Sequence, residues 1–168
     1  MNPSPWAFPP LPTWETAHPL VVHVPIGVLA VVPLFAVWAM VAGANRRTLG
    51  WVVMILMLVG TTGTVIAAKT GEHAMEVAEA GMAGNWLDRH ADMGELARNW
   101  FLGVAAGYAA ITIFSTIRKD KFKRPYWIGV HVVWLSVFAA AFLVLANAGH
   151  MGGRLVHEFG VRAPMHEK

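Results

Sequence analysis

Residues 20–44 read LVVHVPIGVLAVVPLFAVWAMVAGA, a run without a single charged side chain. At 1.5 Å per residue in a helix, this run is long enough to cross a hydrocarbon core of about 30 Å. Three further uncharged runs, each at least 18 residues long, occupy residues 51–68, 100–117 and 126–148. A helix of a soluble bundle carries a polar stripe along one side, and these runs do not. The sequence therefore predicts an all-α protein, an integral membrane four-helix bundle.

The composition of the 168-residue chain favours the same class of protein. Hydrophobic residues make up 56% and charged residues 14%, whereas an average soluble domain has roughly 45–50% and 25%. The chain contains no cysteine, which excludes disulfides, cysteine-bound iron–sulfur clusters and c-type haem attachment. The basic residues do not alternate with a soluble aromatic face, so nucleic acid is not an expected partner.

The charges of the connecting segments predict the orientation of the chain. Residues 45–48 carry a net charge of +2, residues 118–124 carry +4, and residues 69–98 carry −3. Short loops rich in Lys and Arg remain in the cytoplasm. We therefore expect a multi-pass protein of the bacterial inner membrane, N-out and C-out, with both termini and the acidic segment on the periplasmic side.

The expected domain organisation follows from these spans. Residues 1–17 contain five prolines and no Lys or Arg, which predicts an extended Pro/Trp-rich outer arm and not a signal peptide; a disordered leader is the alternative. The four-helix transmembrane bundle occupies residues 18–149 and includes an outer loop at residues 69–95. Residues 150–168 form an outer C-terminal tail.

The outer loop is long for a helix–helix connection, which usually takes roughly 2–8 residues. Residues 73–80 are good helix formers, and we expect them to make a short helix on the membrane surface. Asp88 is then a candidate N-cap for the third span, with His90 in the first turn of that span. This arrangement brings His90 to the same side of the membrane as the start of the first span.

Histidines from three spans meet at one level in this arrangement. His18 and His23 open the first span, His90 opens the third, and His150 closes the fourth. Imidazole is a common ligand of haem iron, copper and zinc, and two imidazoles on opposing helices of a bundle can hold a haem. We therefore expect one or two haem b groups near the periplasmic face, with these four histidines as the candidate metal ligands.

Two details of this candidate site stay open at the level of sequence. His18 and His23 differ by about 140° around an ideal helix, so they serve different partners unless the chain at Pro19 is not yet helical. Arg154 follows two glycines after His150 and is a candidate partner for a haem propionate. The alternative for this segment is a glycine-capped helix end with a cationic last turn, which needs no cofactor.

The chain contains further histidines, and the four candidate ligands also suit functions other than haem binding. His131 would lie near the cytoplasmic edge without a histidine partner, so we interpret it as an interfacial or packing residue; the roles of His73 and His157 stay open. The same four candidate ligands also suit a copper or zinc site, or a cofactor-free accessory subunit in which they only form hydrogen bonds at helix ends. No nucleophile–base arrangement stands out, so we expect no enzyme activity of the chain itself.

Two sequence motifs resemble a known family. Residues 18–27 read HPLVVHVPIG, and residues 149–161 read GHMGGRLVHEFGV. They are similar to the His-Pro-x-x-Val-His-x-Pro-Ile and Gly-His-x-Gly-Gly-x-Leu-Val motifs of the DUF2231 family of bacterial four-span membrane proteins. Residues 67–71, which read AAKTG, and the His-x-x-x-Gly step at residues 90–94 also fit this family.

The resemblance covers most of residues 17–161 and implies the four-span fold with no assigned activity. The family motif positions in this chain are His18, His23, His90 and His150, whereas His157 stands where similar proteins tend to have tyrosine. Similar proteins sometimes occur joined to, or beside, c-type cytochromes, which implies electron transfer. The expected partners are the lipid bilayer, other subunits of a membrane oxidoreductase complex, and a periplasmic c-type cytochrome or a quinone.

Overall fold

The computed structural model describes residues 6, 8, 11–78, 84–118 and 122–161 and contains only helices and turns in these ranges. The helices are α1 (Trp14–Val21), α2 (His23–Val41), α3 (Arg46–Val77), α4 (Gly84–Ile117) and α5 (Arg124–His157), with a 3₁₀ turn at Gly43–Asn45. Four stretches are long and apolar enough to cross a membrane: Thr16–Val41, Gly43–Glu76, Gly84–Ile117 and Arg124–His157. The predicted all-α fold with four candidate spans is confirmed.

The first span is two helices, because the chain is interrupted at Val22. Pro25 has no N–H to donate to the carbonyl of Val21, which weakens the helix at this point. Helical structure also begins earlier in the chain than expected, since α1 begins at Trp14 inside the predicted extended arm of residues 1–17. The backbone N–H of Thr13 donates to Oγ1 of Thr16 (3.0 Å), which is one half of a reciprocal capping box. This contact stabilises the first turn of α1.

The helices extend well beyond the uncharged runs at one end of the bundle. α3 continues without a break to Val77, so residues 73–77 do not begin a separate surface helix, and residues 79–80 of that prediction lie outside the described residues. Asp88 lies inside α4 and is not its N-cap, since α4 begins at Gly84. The extension is stabilised because it buries Leu87 against Leu155 in a small apolar cluster.

α5 likewise continues to His157, so residues 150–157 are helical and are not part of a C-terminal tail. The glycines at 152 and 153 lie within this helix and do not cap it. Each interior glycine costs about 1 kcal/mol of helix stability relative to alanine. This cost is tolerated where the missing side chain makes room for a neighbouring group, as Gly152 does for the ring of His90.

α2, α3, α4 and α5 form the bundle, in which each helix packs against the next and α2 also packs against α5. The largest core cluster joins all four helices through fully buried side chains such as Leu29, Val53, Phe101 and Phe138. α2 and α3 approach closely because Leu29 lies over Gly60, where a Cβ atom would stand 2.5 Å from Leu29 Cδ2. Small residues commonly permit such approach in membrane bundles.

The two ends of the bundle differ in chemistry. The end that contains the start of α1, the end of α3, the start of α4 and the end of α5 carries most of the histidines, and we call it the histidine end. The opposite end contains the α2–α3 and α4–α5 connections with Arg46, Arg47, Arg118, Lys123 and Arg124, and we call it the basic end.

Candidate functional site

His18 of α1 and His90 of α4 form a pair of imidazoles at the histidine end. Their ring centroids are 5.9 Å apart, and their planes are inclined by 74°. Both rings line a cavity of about 590 Å³ that lies between α1, the start of α2, α3, α4 and α5. The cavity wall is mainly apolar, with side chains such as Pro25, Ile26 and Leu145. The two predicted ligands on the first and third spans are therefore brought together.

The ring of His18 is held by α3. Its Nδ1 lies 2.9 Å from the carbonyl oxygen of Ala67 and 3.4 Å from the hydroxyl of Thr70. Since a carbonyl only accepts hydrogen bonds, Nδ1 carries the proton and Nε2 keeps its lone pair. The Cε1 edge of the ring lies over Gly71, where a Cβ atom would be 3.1 Å from Cε1. The absence of a side chain at Gly71 is thus a condition for this ring position.

α5 holds the ring of His90 in the same way. Nδ1 of His90 lies 3.0 Å from the carbonyl oxygen of Ala148 and donates its proton to it. A Cβ atom on Gly152 would be 3.0 Å from Cε1 of the ring. Across the described part of the chain, no hydrogen bond involves Nε2 of His18 or His90. Each ring therefore lines the cavity with an unprotonated nitrogen that is able to bind a metal.

The two halves of the chain build this pair from equivalent parts. In each half a tryptophan precedes the histidine by four residues. The next membrane span supplies a carbonyl, a glycine, a basic residue that contacts the tryptophan, and an acid beside that basic residue. The parts are Trp14, His18, Ala67, Gly71, His73 and Glu76 in the first half and Trp86, His90, Ala148, Gly152, Arg154 and Glu158 in the second. The pair thus lies between two similar helix pairs.

The cavity has charged side chains only at its margin. Glu72, Asp92 and Glu95 are exposed to solvent and also line the cavity. Glu72 is held by Lys69 at 2.8 Å, and Glu95 is 3.2 Å from Arg98. An acidic margin around an apolar interior raises the local concentration of cationic partners.

His23 and His150, the other two predicted ligands, do not join the pair. His23 lines the same cavity as His18 but is exposed. His150 is exposed on α5 and is absent from the cavity wall. Within the described residues, no three His, Cys, Asp or Glu side chains stand close enough together to hold a metal ion.

Arg154, the predicted propionate partner, also lies outside the cavity wall. Its guanidinium stands 4.2 Å from the ring centroid of Trp86, and its Nη2 is 2.7 Å from Glu158. The hydrogen bonds from Arg154, helped by the nearby His150, lower the pKa of the Glu158 carboxyl. Arg154 therefore links the end of α5 to the start of α4 at the histidine end.

A second polar group, which was not expected from the sequence, lies in the half of the bundle nearer the basic end. The hydroxyl of Tyr108 is 3.0 Å from Nε2 of His131, and both residues are 0% exposed. Nδ1 of His131 is 2.8 Å from the carbonyl oxygen of Trp127. His131, which the sequence left as an interfacial or packing residue, is therefore buried in the core of the bundle. Its spacing of four residues from Trp127 was the available signal.

Comparison with known proteins identifies the family of the chain. A family model described as "Predicted membrane protein (DUF2231)" matches residues 15–164, which include both His18 and His90. The chain belongs to the DUF2231 family. No curated protein and no solved structure matches this DUF2231 chain. The family description supports a membrane protein and agrees with the four candidate spans.

Proposed function

We propose that this DUF2231 protein is a membrane-embedded, b-type cytochrome-like electron-transfer subunit that holds one haem between His18 and His90. The observation that carries the proposal is the His18–His90 pair, with both Nδ1 atoms bound to carbonyls and both Nε2 atoms left without a hydrogen bond in the described structure. Bound haem supplies one-electron exchange at its iron. His18 and His90 would hold the haem by their imidazoles, within an apolar cavity.

The dimensions of the site fit this cofactor. With metal–nitrogen bonds of about 2 Å, two imidazoles on opposite sides of one iron have ring centroids roughly 6 Å apart. The centroids of His18 and His90 are 5.9 Å apart. Cofactor cavities have volumes of roughly 300–1,000 Å³, and this one has about 590 Å³. Carbonyl contacts such as those of Ala67 and Ala148 orient ligand imidazoles.

The number of ligands favours haem over a copper or zinc site. Haem iron is already bound by its porphyrin and needs only one or two protein ligands, whereas zinc is typically held by three or four. The described residues bring together two imidazoles and no cluster of three metal-binding side chains. The same count supports one haem and not two, because His23 and His150 have no imidazole contact of their own in the described structure.

The charge distribution supports an orientation and a partner class. The basic end would face the cytoplasm by the positive-inside rule, which puts the haem site at the periplasmic face of a bacterial inner membrane. The acidic margin at Glu72, Asp92 and Glu95 favours a basic electron-transfer protein such as a periplasmic c-type cytochrome. Small size and a lipid-exposed surface favour association with other subunits of a membrane oxidoreductase. We assign no catalytic reaction to this chain alone.

The test is a pyridine haemochrome assay combined with total metal analysis on the purified full-length protein. We expect haem b at one equivalent per chain and a visible spectrum that changes on reduction. Copper or zinc at one equivalent without haem would favour the metal-site alternative. Protein that contains neither, after expression with excess haem precursor, would favour the cofactor-free accessory subunit, in which the carbonyl hydrogen bonds of His18 and His90 are their whole role.

A further inference from the structure

We propose that the gap between α1 and α5 is a lateral portal, through which a largely apolar, membrane-soluble ligand passes between the bilayer and the cavity. With the function proposed above, on which this part of the inference rests, that ligand is haem. α1 packs against α2 and α3, whereas no comparable packing joins α1 to α5 in the described part of the chain. The gap therefore lies beside the cavity that contains His18 and His90.

The cavity is closed by apolar side chains in both directions along the bundle. Toward the histidine end, Leu87 and Leu155 form a small buried cluster that Met75 joins, and all three line the cavity. Toward the middle of the bundle, the buried side chains of Ala97 and Leu145 line it. A ligand must therefore enter between two helices, from the side of the bundle.

The side between α3 and α4 is unsuited to an apolar ligand. These two helices pack closely against each other. The exposed carboxylates of Glu72 and Glu95 line the cavity there. Haem carries two carboxylates of its own, and a like charge placed next to another is unfavourable. Entry from this side is therefore opposed by both packing and charge.

The side between the first span and α5 has the opposite chemistry. Among the described residues of these two segments that line the cavity, none is Asp, Glu, Lys or Arg. A Cβ atom on Gly149 would meet Cδ1 of Ile26 at 3.7 Å, so the two helices touch at this level. One turn further along α5, a Cβ atom on Gly153 would have no neighbour within 4 Å. The gap therefore widens from Gly149 toward Gly153.

The portal opens toward acyl chains and not toward water. It lies between two stretches that are long and apolar enough to cross a membrane, Thr16–Val41 and Arg124–His157. Ile26 and Val156 line the cavity and are 36% and 51% exposed, so apolar surface continues from the cavity to the outside of the bundle. An apolar ligand that takes this route keeps its surface out of water throughout.

The experiment closes the portal with a reversible bridge, which the cysteine-free chain permits. Val22→Cys and Gly153→Cys place thiols on the two sides of the gap, and a bifunctional methanethiosulfonate with a short spacer joins them. In lipid nanodiscs, we expect the bridge to slow haem uptake from the bilayer and haem release to apomyoglobin by about tenfold each, because a gate acts in both directions. Reducing the bridge restores both rates.

The control is the same double variant treated with methyl methanethiosulfonate, which modifies both thiols without joining them and should leave both rates unchanged. A bridge that merely damaged the cavity would weaken haem binding and make release faster. Faster release, or uptake at the rate of the unbridged protein, would therefore overturn the proposal.

A second measurement needs no haem. A small lipophilic aryl diazirine, photolysed in nanodiscs that contain the haem-free protein, should label Leu145, which is buried and lines the cavity. The bridge should abolish this labelling and preserve that of Leu143, which is 64% exposed on the same helix. Labelling of Leu145 that is absent without the bridge, or that persists with it, overturns the portal. Wild-type protein that binds no haem would contradict the proposed function, and the labelling would still decide whether the portal exists.

Discussion

The imidazoles of His18 and His90 approach to 5.9 Å between ring centroids although they belong to different halves of the chain. Each ring is fixed by a carbonyl of the following membrane span and lies over a glycine four residues beyond that carbonyl. The two rings are therefore positioned by backbone atoms and by missing side chains. This makes the glycines as informative about the site as the histidines.

Replacing Gly152 by alanine tests this positioning. The new Cβ would stand 3.0 Å from Cε1 of His90, so the ring must give way by a few tenths of an ångström. Overpacking of this kind costs about 1–3 kcal/mol, and we expect haem affinity to fall by about tenfold. The measurement is haem retention during titration with apomyoglobin as a competing acceptor. Gly71→Ala is expected to act in the same way through His18.

Gly153→Ala is the matched control, because no atom lies within 4 Å of the added Cβ at this neighbouring position of α5. It should retain haem as the wild-type protein does. Equal haem retention in Gly152→Ala and Gly153→Ala would contradict the assigned position of His90.

Gly60→Ala should destabilise the bundle without altering the histidine end. A Cβ at position 60 would lie 2.5 Å from Cδ2 of the fully buried Leu29, so α2 and α3 must separate. We expect a loss of about 1–3 kcal/mol in the free energy of unfolding, measured by denaturant titration in detergent micelles. Gly107→Ala, whose Cβ has no neighbour within 4 Å, should be at least as stable as the wild-type protein, because alanine is the better helix former. Similar destabilisation by both variants would argue against this helix contact.

Much of the fold was predictable because apolar length alone identifies a membrane span. The four runs and the shared level of His18 and His90 follow from counting residues along helices. The extra turns of α3 to Val77 and α5 to His157 were not predicted, because glycines and charges are usual signs of helix ends. Without those turns, the contact partners of the rings could not be assigned.

Only the three-dimensional structure shows that His18, and not His23, pairs with His90. Both residues lie on the first span, and Val22 between them keeps helical dihedral angles (φ −60°, ψ −24°), so their angular separation alone does not decide which of them meets His90. A useful sequence signal was nevertheless present: Trp-x-x-x-His occurs at residues 14–18 and 86–90, and Ala-x-x-x-Gly at residues 67–71 and 148–152. This internal repeat pairs His18 with His90.

The absence of native cysteine makes the proposed orientation directly measurable. Asn85→Cys lies near the start of α4 at the histidine end, and Asn45→Cys lies in the turn between α2 and α3 at the basic end. In spheroplasts of the expression host, a membrane-impermeant maleimide should label position 85 at once and position 45 only after lysis. The reverse pattern would place the histidine end in the cytoplasm and exclude a periplasmic partner.

The Arg154–Glu158 pair predicts a local response to acid. Arg154 holds the pKa of the Glu158 carboxyl below its usual range, so the pair stabilises the end of α5 above that range. The contribution is lost as the pH falls through the lowered pKa, because the protonated carboxyl no longer carries the charge that Arg154 binds. Hydrogen exchange in the last turn of α5 should accelerate, after correction for intrinsic rates, over this interval. In Glu158→Gln the corrected rate should not depend on pH there; an unchanged acid response would implicate another group.

The most direct test of the central claim is low-temperature EPR of the ferric protein, compared across single histidine variants. We expect the low-spin signal of bis-imidazole haem in the wild-type protein and in His23→Ala and His150→Ala. His18→Ala and His90→Ala should each give high-spin haem or lose the cofactor. An unchanged low-spin signal in either of these two variants would contradict the account, because it would show that another residue binds the iron.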